Sequence, residues 1–375
     1  MGVNSRYLSN FGQRIKQALC RMPKFGAEPV FCALRALQPP AGPDSFPPMP
    51  ISRLQQVPPG SLDLLAGDVR RRRSVQRAWF ALAEANGYEE VIPPTFEYEE
   101  VFTRSAGPEL ASRLIRFVDR DGALVALRAD FTSSIARMVA TRLSGAPLPL
   151  RLAYAGKVYR QEPEGVGRRR EIFQLGAELI GDPSPQAVVE TLRLVVTLAR
   201  ELGIGEFQIN LGDIRFIRPL LQGLPPEQAE ALRTAIDRKD RAALAAGARE
   251  IGAPAAVARA LVELPELIGR GEVLGRARSL ATGHEAEAAI ERLRQVDALL
   301  SDDERRHVVY DLGEIRGLGY YTGIQFELFV AGVGRAVAYG GRYDGLLALY
   351  GADRPAVGFA LETDALADLI VEATS

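Results

Sequence analysis

From residue 62 onward the chain alternates between helical and strand-like hydrophobic spacing. Residues 69–86 place Val75, Trp79 and Leu82 on one helical face and stop at Gly87, a common residue after a helix end, so an opening helix is expected. Residues 88–94, closing on Pro93-Pro94, read as a strand that 96–102 continue. Residues 117–118 and 124–127 flank Asp119-Arg120-Asp121-Gly122, a hairpin pattern around an Asp-Gly turn. The spacing predicts a helix over 133–143 and strands over 150–160 and 170–180, joined by a polar loop at 161–169. An apolar helix over 187–202 ends at Gly203, and a strand follows at 207–211. Residues from about 217 to 300 are rich in Ala, Leu, Arg and Glu, nearly free of aromatics, and read as a small all-helical insertion. Strands return at 308–312, 324–330 and 336–339, followed by a helix within 345–350 and a strand–helix pair within 357–371. Many strands with few regular crossover helices predict an α+β fold on a mainly antiparallel sheet flanked by helices.

Composition narrows the chemistry. The 375 residues suggest roughly two to three domain-sized units, and 47% hydrophobic with 25% charged residues is ordinary for a globular protein. No apolar run approaches the ~18 residues of a membrane span. A formal net charge of −1 argues against a strongly basic nucleic-acid module. The only cysteines are Cys20 and Cys32 and the only histidines His284 and His307, so the bulk of the chain has no cysteine nucleophile, cysteine zinc site or His pair at metal-ligand spacing. No metal and no cofactor are expected. Residues 1–50 differ: they hold both cysteines, three of the four methionines and a crowd of prolines from Pro39 to Pro50. They read as a disordered extension, a start placed upstream of a true start at Met49, or a basic targeting arm.

Alternate positions along a strand share a face. Asp130 with Thr132, and Gln174 with Glu178 across Gly176, are expected on such faces, with Arg160 ending the neighbouring strand. Buried without partners, such groups would each cost about 1–3 kcal/mol. The set reads as a pocket for a zwitterion, with carboxylates for an ammonium and an arginine for a carboxylate or phosphate; a satisfied internal polar network or a solvent-facing sheet fits these residues equally. In Arg316-Gly317-Leu318-Gly319-Tyr320-Tyr321-Thr322-Gly323 the glycine spacing and the following strand argue against a dinucleotide loop, and the glycines admit a ligand close to the backbone. Gly340-Gly341-Arg342-Tyr343-Asp344-Gly345 is another such loop, or a tight turn with a surface Arg–Asp pair. The runs Arg70–Arg73 and Arg168–Arg170 read as solvated faces.

These residues carry a family resemblance. LRADFT (127–132) and YRQEPEGVGRRREIFQLGAELIG (159–181) resemble motif 2 of class II aminoacyl-tRNA synthetases, specifically histidyl-tRNA synthetase. GYEEVIPPTFEYEEVF (87–102) resembles motif 1, the dimer-interface strand, with Pro94 as its proline. RGLGYYTG (316–323) and YGGRYDGL (339–346) resemble that synthetase's histidine-recognition motifs. The likeness runs from about 54 to 370 and implies a class II synthetase-like core over 51–375, with the helical insertion where the family has one. Position by position, it implies that Asp130 and Thr132 hold an α-amino group. Gln174 and Arg316 lie near a carboxylate, Glu178 and Tyr321 read an imidazole, and Tyr320 lines the pocket. Arg160 matches the motif 2 arginine that contacts the α-phosphate in the synthetase. Asp130 is shorter than the family's glutamate and Gly319 replaces its aspartate, which implies an altered histidine affinity.

The departures matter as much. Motif 3 reads GFALETDAL (358–366), with Ala365 where the synthetase has its ATP-holding arginine and Glu362 where it has glycine. A bare carboxylate about 4 Å from a phosphate costs on the order of 4 kcal/mol at an effective dielectric near 20. With the chain ending at Ser375, no anticodon-binding domain is expected. This combination is similar to the regulatory subunits of ATP phosphoribosyltransferase. That resemblance implies a cytoplasmic, non-catalytic partner of the short-form catalytic subunit, dimeric through motif 1 and responsive to L-histidine, with no nucleic acid or membrane partner. The alternative is a degenerate synthetase-like enzyme that still activates an amino acid, which ATP–pyrophosphate exchange above background would reveal.

Overall fold

The computed structural model describes residues 55–105, 107–161, 169–314 and 319–370. The chain divides between Val57 and Pro58, and the second unit is the one described below. The expectation for residues 1–50 lies outside the described residues.

The helix α1 (Ala66–Ala85) opens the unit. Its strands are β1 (Glu89–Glu90), β2 (Phe96–Tyr98), β3 (Arg116–Val118), β4 (Leu124–Leu127), β5 (Leu150–Tyr159), β6 (Glu171–Ile180), β7 (Phe207–Asp213), β8 (Ile268–Gly269), β9 (Val308–Asp311), β10 (Ile324–Val330), β11 (Ala336–Arg342) and β12 (Ala356–Glu362). Nine form one sheet in the order β1-β5-β6-β12-β11-β10-β7-β9-β8, and β2-β4-β3 form a second. In the large sheet β1–β5 and β7–β9 run parallel and the other neighbours antiparallel, so it is mixed. The strand expected over 88–94 shrinks to Glu89–Glu90, because Pro93 and Pro94 have no N–H to give a ladder. The hairpin at the Asp-Gly turn forms as β3–β4, with Gly122 at φ +87°.

Alternation along the strands sorts the two faces of the large sheet. Leu175, Ala177 and Leu179 of β6, with Val357, Phe359 and Leu361 of β12, join the main core. There they meet Trp79 of α1, whose ring stands edge-on to Phe359, and Val188, Leu192 and Val195 of the helix Pro185–Glu201. The opposite parity of the same strands is Gln174, Gly176 and Glu178, and Gly358, Ala360 and Glu362. At one end of that second face Leu152, Tyr154, Ile180 and Ala356 pack with Phe131, Ile135 and Val139, the last two on the helix Thr132–Arg142. The polar groups are thereby left in the middle and at the other end.

Between β7 and β9 lie the α-helices Ile214–Leu221, Pro226–Asp237, Arg241–Glu250, Ala255–Glu263, Val273–Arg278, His284–Leu299 and Asp302–Arg305. The expected all-helical character does not hold. Ile268–Gly269 adds the edge strand β8 to the large sheet, pairing with β9.

Candidate functional site

Glu178 lies at the centre of the second face. It is 1% exposed. One carboxylate oxygen accepts from the Thr132 hydroxyl at 2.8 Å and the other from the Tyr343 hydroxyl. The site exists because its cross-strand neighbour is glycine: a Cβ on Gly358 would fall 1.7 Å from Glu178 Oε2. The neighbouring Gly176 likewise makes room for the Tyr154 ring, whose hydroxyl donates to the Phe359 carbonyl at 3.1 Å. Phe131 stacks on Tyr154 with centroids 4.3 Å apart. Tyr320 closes the group, its ring edge-on to Tyr343 (5.8 Å) and to Tyr321 (5.1 Å). Burial pushes the Glu178 carboxyl up to about 8; the hydroxyls of Tyr343 and Thr132 oppose the shift and the nearby Asp130 charge adds to it. Burial raises the Tyr320, Tyr321 and Tyr343 hydroxyls too, so they are neutral donors.

The expected site residues fall into three groups. Thr132, Glu178, Tyr320 and Tyr321 come together in one buried cluster. Gln174 lies two strand positions from Gly176, opposite Glu362; it is 4% exposed, and its Oε1 has no hydrogen-bond partner among the described residues. Arg160 stands beside the end of β5 with its Nε donating to the Ala129 carbonyl at 2.9 Å. Asp130 corrects the strand reading. β4 ends at Leu127, Thr132 is already helical, and the Asp130 carboxylate accepts from the Ser133 N–H (2.7 Å) and hydroxyl (3.1 Å). It satisfies donors of the first helical turn, which have no intrahelical partner. Burial raises its pKa, with the Ser133 bonds opposing. Arg316 lies outside the described residues.

Three residues at the pocket were not among the expected set. Tyr343 sits in the GGRYDG run, which marks it as interesting without revealing its partner 165 positions away. Tyr154 and Gly358 carry no local signal, because their roles follow from strand register alone. In the same run, Arg342 is not at the surface. It is 1% exposed, donates to the Asp182 and Ser184 carbonyls (2.7 and 3.2 Å), and meets Asp344 at 3.2 Å.

The motif 3 end departs from simple repulsion. Glu362 pairs with Arg335 at 2.5 Å, which offsets the charge a phosphate would meet. Asp364 accepts from Arg72 Nε and Nη2 (2.7 and 2.8 Å) and from Arg169 Nη1 (2.7 Å). Two arginines of the supposed solvated runs are thereby bound to one carboxylate, with Arg72 also over the Phe173 ring. Ala365 packs against the main core and offers no cation. No described helix is long and apolar enough to cross a membrane.

Comparison with known proteins places this geometry. The histidyl-tRNA synthetase family model matches residues 60–366. An ATP phosphoribosyltransferase regulatory subunit of Syntrophotalea carbinolica is 40% identical over 308 residues, covering 81% of this chain and 72% of that protein. Its counterpart in Desulforamulus reducens is 39% identical over 320 residues, covering 84% and 79%. The crystal structure of an ATP phosphoribosyltransferase regulatory subunit/histidyl-tRNA synthetase from Bacillus halodurans C superposes with a TM-score of 0.77 at 28% identity, over 84% of this chain and 83% of that one. A synthetase-type sheet with a buried polar cluster around Glu178 and alanine at position 365 fits these matches: the chain belongs to the family of ATP phosphoribosyltransferase regulatory subunits, built on the histidyl-tRNA synthetase fold.

Proposed function

We propose that this chain is the non-catalytic regulatory subunit that the short-form catalytic subunit of ATP phosphoribosyltransferase requires in the first step of histidine biosynthesis. In this reading the Glu178 pocket is the L-histidine effector site. The observation that carries it is one buried cluster, the Glu178 carboxyl held by Thr132 and Tyr343 with tyrosines 320 and 321 beside it; on the same sheet face lies the Gln174 acceptor, which has no partner among the described residues. Such a set has acceptors for an ammonium or an imidazole N–H and hydroxyl donors for a ring nitrogen. Asp130, Arg160 and Arg316 complete the site on the family pattern, Asp130 and Arg160 from its rim.

Residues 51–375 form the synthetase-like core of this reading, with about 217–300 as its insertion and a mainly antiparallel sheet. Two copies associate through the motif 1 region, where Phe96, Tyr98 and Phe117 expose aromatic surface. The near-neutral net charge of −1 supports a chain with no nucleic-acid partner. Feedback requires that histidine bind two states of the complex unequally, and a coupling of about 1–3 kcal/mol is typical. The test combines purified chain with the short-form catalytic subunit of the same organism and follows phosphoribosyl-ATP formation from ATP and phosphoribosyl pyrophosphate. Stimulation that histidine suppresses is expected. A competent catalytic subunit that gains nothing from the chain refutes the reading.

A further inference from the structure

The connection from β9 to β10 carries Tyr320 and Tyr321, and the helical segment 214–299 holds its first end through a cation and its second through a backbone hydrogen bond. At the first end, Asp311 closes β9 and is buried. Its carboxylate accepts the Gly313 N–H at 3.0 Å and receives Lys239 Nζ on both oxygens, at 2.8 and 3.0 Å. A Cβ on Gly313 would stand 2.9 Å from Lys239 Nζ, so the glycine leaves the space the ammonium fills. One residue later the Glu314 carbonyl accepts from Gln325 Nε2 at 2.6 Å, and Leu312 N–H donates to the Leu267 carbonyl at 3.1 Å.

The other end is held by the backbone, beside a second buried ion pair. Asp213, fully buried, holds Arg215 through two of its guanidinium nitrogens. A Cβ on Gly323 would stand 3.3 Å from Arg215 Nη2, and the Gly323 carbonyl accepts the Ile214 N–H at 3.2 Å. Lys239 has a further peculiarity. At φ +54° it is the only non-glycine residue with positive φ among the described residues. That conformation disfavours any residue with a Cβ and persists only where the surroundings impose it. The turn after Pro226–Asp237 is held there while its side chain reaches Asp311.

We propose that segment 214–299 clamps the β9–β10 connection, with Lys239 as the positioning residue that sets Tyr320 and Tyr321 against Glu178. The histidine arm of this inference rests on the pocket reading above; the clamp itself does not.

The test uses the full chain as wild type, Lys239→Met, Lys239→Arg, and Leu232→Ala as a control that destabilises the same helix without touching Asp311. Hydrogen exchange is followed at Thr322, whose amide donates to the Arg342 carbonyl at 2.8 Å. L-histidine affinity is measured by calorimetry well below the Tm of every variant. Lys239→Met is expected to speed Thr322 exchange and weaken histidine binding about tenfold, inside the usual range for coupled sites. Lys239→Arg restores both within about twofold, and Leu232→Ala, at a comparable Tm loss, moves neither. Unchanged Thr322 exchange in Lys239→Met overturns the clamp. Faster exchange in a chain whose wild type binds no histidine keeps the clamp and overturns the pocket reading instead. Faster exchange with an unaltered histidine Kd refutes the positioning role.

Discussion

Replacing Glu178 by glutamine tests whether the pocket holds a neutral acid at physiological pH. In the folded chain burial lifts this carboxyl from its ordinary 4.5 to about 8. Below about 4.5 both folded and unfolded forms are protonated and the group is neutral to stability. Between about 4.5 and 8 the folded form keeps a proton that the unfolded chain has released. Raising the pH across that window therefore costs stability, at up to about 1.4 kcal/mol per pH unit, and at most about 5 kcal/mol over the whole of it. Glutamine has the same shape, keeps one acceptor for Thr132 or Tyr343 and supplies donors to the other hydroxyl, as a protonated acid does. It cannot titrate. Urea unfolding at pH 5, 6, 7 and 8 should then show wild-type stability falling more steeply with pH than that of Glu178→Gln. The difference in slope should approach about 1.4 kcal/mol per unit. Asp130, also raised by burial, contributes with the same sign in both proteins, so the comparison reads Glu178 together with its coupling to Asp130. Parallel pH profiles would refute the argument, since they would mean that Glu178 ionises alike in folded and unfolded chains.

Two further outcomes follow from the geometry. Gly358→Ala places a methyl 1.7 Å from Glu178 Oε2, so the carboxylate must leave its hydroxyl partners. A loss of about 1–3 kcal/mol in urea unfolding is expected, with histidine binding abolished in calorimetry, and an unchanged Tm and Kd would contradict the close approach. Phe96 is 52%, Tyr98 61% and Phe117 40% exposed, and Phe96 and Phe117 meet edge-on at 6.0 Å. Phe96→Ser with Phe117→Ser should halve the mass seen by light scattering without lowering the monomer's intrinsic stability, since such anchors are typically worth about 2 kcal/mol or more each at an interface. A double variant that remains a dimer would move the interface away from this sheet.

Much of the fold was legible because its signals are local. The β6 run spells its own two faces, Gln174-Leu175-Gly176-Ala177-Glu178-Leu179, and the structure buries the odd positions in the core and turns the even ones to the pocket. The Asp-Gly hairpin and the bounds of β10 are legible for the same reason: turn chemistry and period belong to adjacent residues. Asp130 misled because Leu127-Arg128-Ala129-Asp130 continues an extended pattern. Only the Ser133 amide, three residues on, shows that its carboxylate starts a helix.

The chain's order of residues by itself determined most elements, though not those over 88–102 or β8, along with the apolar and polar parity of the long strands and the family motifs with alanine at position 365. It could not determine who faces whom. Arg72 and Asp364, 292 positions apart, become partners only through the docking of α1 against the short helix Thr363–Ala367 that follows β12. Gly358 becomes the space for Glu178 only through the β6–β12 register, and Tyr343 becomes its donor only through the path after β11. The raised ionisation of Glu178 is likewise a property of enclosure. Periodicity is set by neighbours along the chain, whereas desolvation and pairing are set by whatever the strand order brings across the sheet, and no local pattern carries that information.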